Sequence, residues 1–282
     1  MATLKAERRQ ELDALDTSAL REGVNWFITL AGTANVIWQL SLPPVGHGVK
    51  DSTSPGALFH DPKRRMRTTV GYIAVTMLGS AEDRAAYRAA TNRSHAPVQS
   101  KPGEAPAYRA MDPQLQLWVA ACLYRGAEDA YERVHGPLSG AFREEFYRQG
   151  MVFGTTLQMR AEDWPATRDA FGSWWDSAQS RLEMDDSVRE YLWRVLRLEY
   201  LGRDVPARLL AWRIRMTAGY MGPRFRELMH LEWDDEQQRR FDRFNRRMAT
   251  FQRVAPRGVR EVLLRRELRD IRKRLAAGRP LF

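Results

Sequence analysis

Residues 62–98, PKRRMRTTVGYIAVTMLGSAEDRAAYRAATNRSHAPV, carry an Arg-x-x-Arg-Thr element and, one chain reversal later, a histidine. Pro62 suits the first turn of a helix, where its missing N–H costs nothing, and no breaker follows until Gly79-Ser80, so the pattern predicts one helix over 62–78. Ser80 with Asp83 has the spacing of a capping box, which starts a second helix running to Ser94 or His95 before Pro97 stops it. The second helix then folds back against the first. At helical spacing Arg64, Arg67, Thr68, Gly71, Tyr72 and Val75 share one face, with Met66, Val70, Ile73 and Met77 on others. His95, in the last turn of the second helix, is placed to point a neutral imidazole at the Arg64/Thr68 face.

Outward from this pair the same period persists. Helices are predicted at about 18–41, 112–134, 140–158, 165–181, 186–202, 206–221, 234–253 and 256–276, and no stretch alternates as a strand does. The expected class is all-α, a single multi-helix domain over 1–282 with about ten helices. Aromatic and Met stripes such as Phe142, Phe146 and Phe153, or Phe171, Trp174 and Trp175, fall at core spacing, and some of them must line any internal cavity. Between helices, residues 42–61 form the longest breaker-rich stretch of the first half and read as a loop over the mouth of a pocket, with His47, Ser52 and Ser54 as candidate contacts. Residues 99–111 form a second loop, read as the entrance opposite.

Bulk properties narrow the function classes. The chain has 44% hydrophobic residues, net charge +10 and a single cysteine. Its basic residues are spread along helices among Glu and Asp without a nucleic-acid-binding motif, which argues for a basic surface rather than a nucleic-acid partner. Cys122, set among apolar residues, cannot form an internal disulfide and reads as a small buried hydrophobe. No P-loop, Rossmann fingerprint or nucleophile elbow is present. The charged N-terminal stretch and the lack of a ~20-residue apolar run point to a cytoplasmic protein without a transmembrane segment. A helix from Arg257 toward Arg279 alternates Arg with apolar residues; it could touch an anionic membrane, but a surface helix with Glu/Arg pairs is expected. Glu132-x-x-His135 and Glu227-x-x-His230 form a pair of the kind that non-haem di-iron bundles use, although both sit near helix ends.

By pattern alone His95 is a helix-end histidine satisfying carbonyls, and the arginines are a solvated face. The surrounding words say more. Arg64-Arg65-Met66-Arg67-Thr68-Thr69 with Tyr72, then Ser94-His95-Ala96-Pro97-Val98, then Tyr108-Arg109-Ala110-Met111-Asp112-Pro113 with Trp118-Val119, resemble the haem-dependent oxygenase family of latex-clearing protein (rubber oxygenase) and the mycophenolic-acid pathway oxygenase. The likeness continues through Ala130-Tyr131 and Gly136-Pro137-Leu138-Ser139 to Pro256-Arg257.

The resemblance implies a globin-like helical core, a b-type haem with His95 as its iron ligand, and O2 as co-substrate. It further implies that Arg64, Arg67 and Thr68 lie beside the cofactor, with Arg64 and Thr68 catalytic and Gly71 giving the flat macrocycle room. Arg forks suit propionates and imidazole suits iron. Two features depart from the family. Ala120 stands where many relatives have His, and no Glu lies between Trp38 and Arg64, where rubber oxygenases use one. The implied activity is therefore oxidation or cleavage of another unsaturated or aromatic small molecule. A non-catalytic haem or lipophilic-ligand binder shares the same expectations short of turnover.

Overall fold

In a computed structural model of the protein, which describes the backbone from Ala2 and the side chains from Glu7 through Phe282, both helices of the arginine–histidine segment form where the sequence places them. The arginine helix runs Pro62–Leu78, and the Asp61 carboxylate accepts the Arg64 N–H at 2.9 Å. Such a cap contributes about 1 kcal/mol. The histidine helix runs Ala81–His95, opened by reciprocal bonds between Ser80 and Asp83, so His95 is its last helical residue.

Among the described residues the protein is all-α, and its one β feature is an isolated bridge between Gln99 and Arg109. A continuous hydrophobic core extends from Leu20 to Leu281. The long helix Pro113–His135 packs on both Gly32–Leu40 and Asp235–Val254, and its Ala120, Ala121, Ala127 and Ala130 are buried where those neighbours close in. Cys122 is fully buried, and burial pushes its thiol well up.

The most extensive helix pair joins the arginine helix to Val262–Ala276 near the C-terminal end of the chain. Leu264, Leu268 and Ile271 are buried in that contact, each stabilising by on the order of 2 kcal/mol. Arg272 reaches Asp83 at 2.7 Å, the buried Glu261 carboxylate pairs with Arg265, and Asp270 pairs with Arg274. This is the packed surface helix expected. No helix among the described residues is long and apolar enough to cross a membrane.

Several expected boundaries shift for local reasons. The stretch read as one helix over 18–41 is three, Ser18–Arg21, Trp26–Leu30 and Gly32–Leu40, because extended Asn25 caps Trp26–Leu30 and donates to the Ala130 carbonyl at 2.7 Å. The loop read over 42–61 contains a helix, Pro43–Lys50: its two prolines occupy the first turn rather than breaking it. The helix read over 140–158 is interrupted after Gly150, and the one over 186–202 ends at Leu196, just before left-handed Leu198. Helix number therefore exceeds ten while the class is unchanged.

Candidate active site

Two adjoining cavities, of about 200 and 210 Å³, meet at His95. Gln39, Ser54, Arg65, Ser94, Val119 and Leu157 wall both. The first cavity is completed by Val45, Gly48 and Val49 from the short helix Pro43–Lys50, by Ser52 and Leu58 from the following loop, and by Tyr108 and Ala110. The second is completed by Arg64, Thr68, Thr69, Tyr72 and Ile73 of the arginine helix, and by Phe282.

The arginine helix thus offers residues 64/65, 68/69 and 72/73, a stripe at helical spacing turned about one residue from the face read in the sequence. Arg64, Thr68 and His95 are brought together as expected. Arg65, which the sequence reading passed over, walls both cavities. Arg67 and Gly71 lie on the flank that meets the helix Val262–Ala276: a Cβ on Gly71 would fall 2.9 Å from Tyr87 Oη and 3.1 Å from Ile271 Cδ1. Gly71 therefore makes room for a helix crossing, while Arg67 acts on Glu267 and Tyr87 on that flank. A hydrogen bond from Tyr87 Oη to the Thr68 carbonyl at 2.5 Å, and one from Tyr72 to the Phe153 carbonyl, fix the stripe's orientation.

His95 is held at its helix end by a short hairpin. Its carbonyl accepts the Val98 N–H at 2.9 Å, and Val98 and Ser100 in turn pair with Ala110 and Tyr108. The ring Nδ1 is buried and has no hydrogen-bond partner. Burial, with Arg65 nearby, pushes the imidazole down to about 4, so it is neutral at physiological pH with a lone pair available to a metal.

Arg65 lines both cavities and keeps an exposed surface. Burial lowers its pKa, and the only groups opposing that shift are the phenols of Tyr191 and Tyr87. No carboxylate is among the groups that act on it. A cavity-lining guanidinium without a counter-charge favours an anionic ligand beside it.

His47 is not part of this wall. It faces the other side of its helix, with Nε2 at 2.6 Å from Asp185 and Nδ1 at 3.2 Å from Asp51, because residues 45, 48 and 49 take the cavity side. Ser52 and Ser54 do line the cavity, as expected. The two Glu-x-x-His elements are not brought together. Glu132 accepts the Leu138 N–H, His135 packs on Tyr131 at 4.7 Å, Glu227 pairs with Arg224, and His230 lies beyond its helix with φ 52. No cluster of three or more metal-ligating His, Cys, Asp or Glu exists among the described residues, which removes the di-iron reading.

Gln39 and Leu123 are not singled out by the sequence, and Val119 and Leu157 are not read there as cavity wall. They are apolar or neutral positions whose spacing reads as ordinary core. Only the register of the arginine helix, counted from Arg65 rather than Arg64, could have pointed toward their side of it.

Compared with known proteins, the chain matches, over residues 20–251, the family described as "ER-bound oxygenase mpaB/B'/Rubber oxygenase, catalytic domain". Two relatives, the uncharacterized proteins Mb2261 of Mycobacterium bovis and Rv2237 of Mycobacterium tuberculosis, are each 41% identical over 214 residues, covering 76% of this chain and 84% of theirs. No solved structure matches.

Proposed function

The chain belongs to the mpaB and rubber oxygenase catalytic-domain family, and on that premise we propose that it is a haem b-dependent oxygenase whose iron is held by His95. The observation that carries the reading is a neutral imidazole with an orphaned, buried nitrogen, set in the wall of a cavity that also holds an unpaired arginine. These residues fit the group: imidazole suits iron, a guanidinium suits a propionate, and the remaining walls are largely apolar.

In this reading His95 would hold the iron, and Arg65, with Arg64 one position before it, would receive the propionates. Bound there, haem b supplies the electron and dioxygen chemistry that no side chain of this site can supply. The protein does the rest. Val119, Leu157 and Ile73 exclude water from the reacting volume. The Thr68 hydroxyl, which donates to the Arg65 carbonyl at 3.0 Å, keeps its lone pairs toward the cavity side as acceptors for a proton on substrate or oxidant. Gln39, whose amide nitrogen donates to Asn35 at 2.8 Å, offers its carbonyl oxygen to a substrate polar group. The substrate is an apolar, unsaturated or aromatic small molecule that fills the cavity left beside the macrocycle.

The test is the absorption spectrum of the full chain, expressed with a haem precursor, beside His95→Ala. A Soret band in the first that is lost or shifted in the second is expected, followed by steady O2 consumption with unsaturated compounds. A colourless wild-type protein overturns the proposal.

A further inference from the structure

A third, smaller cavity of about 80 Å³ opens off the second lobe. It runs between the arginine helix, the helices Trp26–Leu30 and Gly32–Leu40, and the long helix Pro113–His135, and it shares Gln39, Thr69, Ile73 and Leu123 with that lobe. Beyond this junction its walls are Ile28, Val36, Met77, Ala127 and Phe153.

Beyond the shared threshold its one polar side chain, Asn35, is bonded to the chain itself. Asn35 Nδ2 donates to the Cys122 carbonyl at 2.6 Å, and Asn35 Oδ1 accepts from Gln39 at 2.8 Å, so both ends of that amide are engaged by the chain. An apolar cavity of this kind stays dry and takes apolar guests, because water gains too few partners there. It also persists at a helix junction where close packing is the rule, so its lining forgoes contacts that a guest would restore.

We infer that this branch is a binding site for a small apolar group, either the end of a hydrocarbon substrate or a dissolved gas such as O2, held next to the reacting volume. Its functional meaning rests on the reading of the adjoining lobe as the reaction site; its ability to bind does not. The Thr69–Ile73 turn, with Gln39 opposite, is the threshold. An apolar group seated past it leaves the rest of a bound molecule in the second lobe, beside Arg65 and His95.

The test uses the full chain and two probes, xenon and n-hexane. Crystals under xenon pressure should show a site bounded by Met77, Val36 and Phe153. In solution the Met77 methyl resonance should shift saturably with xenon. Two filling variants check the location. Gly32→Leu starts from a position where a Cβ meets nothing within 4 Å, and Ala127→Leu adds bulk from the opposite wall. At least one of them should abolish the xenon site while leaving the fold intact by circular dichroism.

A shift with n-hexane as well as xenon assigns the branch to a hydrocarbon end, whereas xenon without n-hexane assigns it to a gas. Absence of xenon from the branch, or a signal undiminished in both variants, overturns the inference. Xenon binding does not depend on haem, so a protein that binds xenon but shows no Soret band fails the proposed function alone, and the reverse result fails this inference alone.

Discussion

Two faces of one helix show how this protein divides stability from chemistry. On one side of Pro113–His135, Tyr124 and Glu128 enter a closed aromatic cluster in which Tyr124 sits within 6 Å of Trp164, Phe171 and Tyr147. The charges there are matched: Glu128, only 2% exposed, takes a two-bond fork from Arg168, a bond from Tyr124 at 2.7 Å and another from Arg125, while the buried Trp164 indole N–H is left without a partner. On the other side, Val119 and Leu123 face a cavity walled also by His95, whose buried Nδ1 has no partner, and by Arg65, on which no carboxylate acts. The charges of the first face are satisfied by the chain itself. In the proposed function the second is completed by the bound group.

The largest effect that would break this contrast lies on the satisfied face. Glu128→Ala should lower folding stability by about 3–5 kcal/mol, because it strands the Arg168 cation in the core, and urea denaturation followed by circular dichroism measures it. Burial alone would raise the Glu128 carboxyl, but the Arg168 bonds and the nearby Arg125 charge hold it below its ordinary value. Its contribution is therefore complete above the unfolded carboxylate pKa and is lost as pH falls through the folded one. The urea midpoint of the wild type should fall faster below about pH 4.3 than that of Glu128→Gln.

On the unsatisfied face the effects on binding should exceed those on folding. Arg65→Gln should weaken haem retention by about 10- to 100-fold, in line with roughly 1.5–3 kcal/mol for a hydrogen bond to a charged group. Arg67→Gln should change retention little, since Arg67 acts on Glu267 and Tyr87 rather than on the cavity. Equal losses from the two, read by haem titration, would contradict the register assigned to the arginine helix. Gly71→Ala should cost about 1–3 kcal/mol of stability by pushing on Tyr87 and Ile271, without altering haem affinity. Smallest of all, His95→Gln in the haem-free protein should shift stability by less than about 1 kcal/mol, because it removes an unpaired group rather than a contact.

How much of this was legible follows from how local each signal is. The ends of the arginine and histidine helices were readable because Pro62, the Ser80/Asp83 box and Pro97 act through their own backbone. The placement of His95, Arg64 and Thr68 around one space was readable for the same reason. The one-residue turn that brings in Arg65 and turns Gly71 away was not, since it is set by a crossing with Val262–Ala276, nearly 200 residues downstream. The Pro-Pro of residues 43–44 read as a breaker because prolines end helices more conspicuously than they begin them. His47 pointed outward for a reason visible only once that helix existed: Asp185 and Asp51 lie on its far side.

The central claim is that the His95 imidazole completes the site by binding iron. The most direct measurement is the spectrum of His95→Gly loaded with haem and titrated with imidazole. The account predicts a perturbed or absent Soret band that returns to the wild-type position as imidazole fills the space left by the side chain. A His95→Gly protein with the wild-type spectrum before any imidazole is added would contradict it.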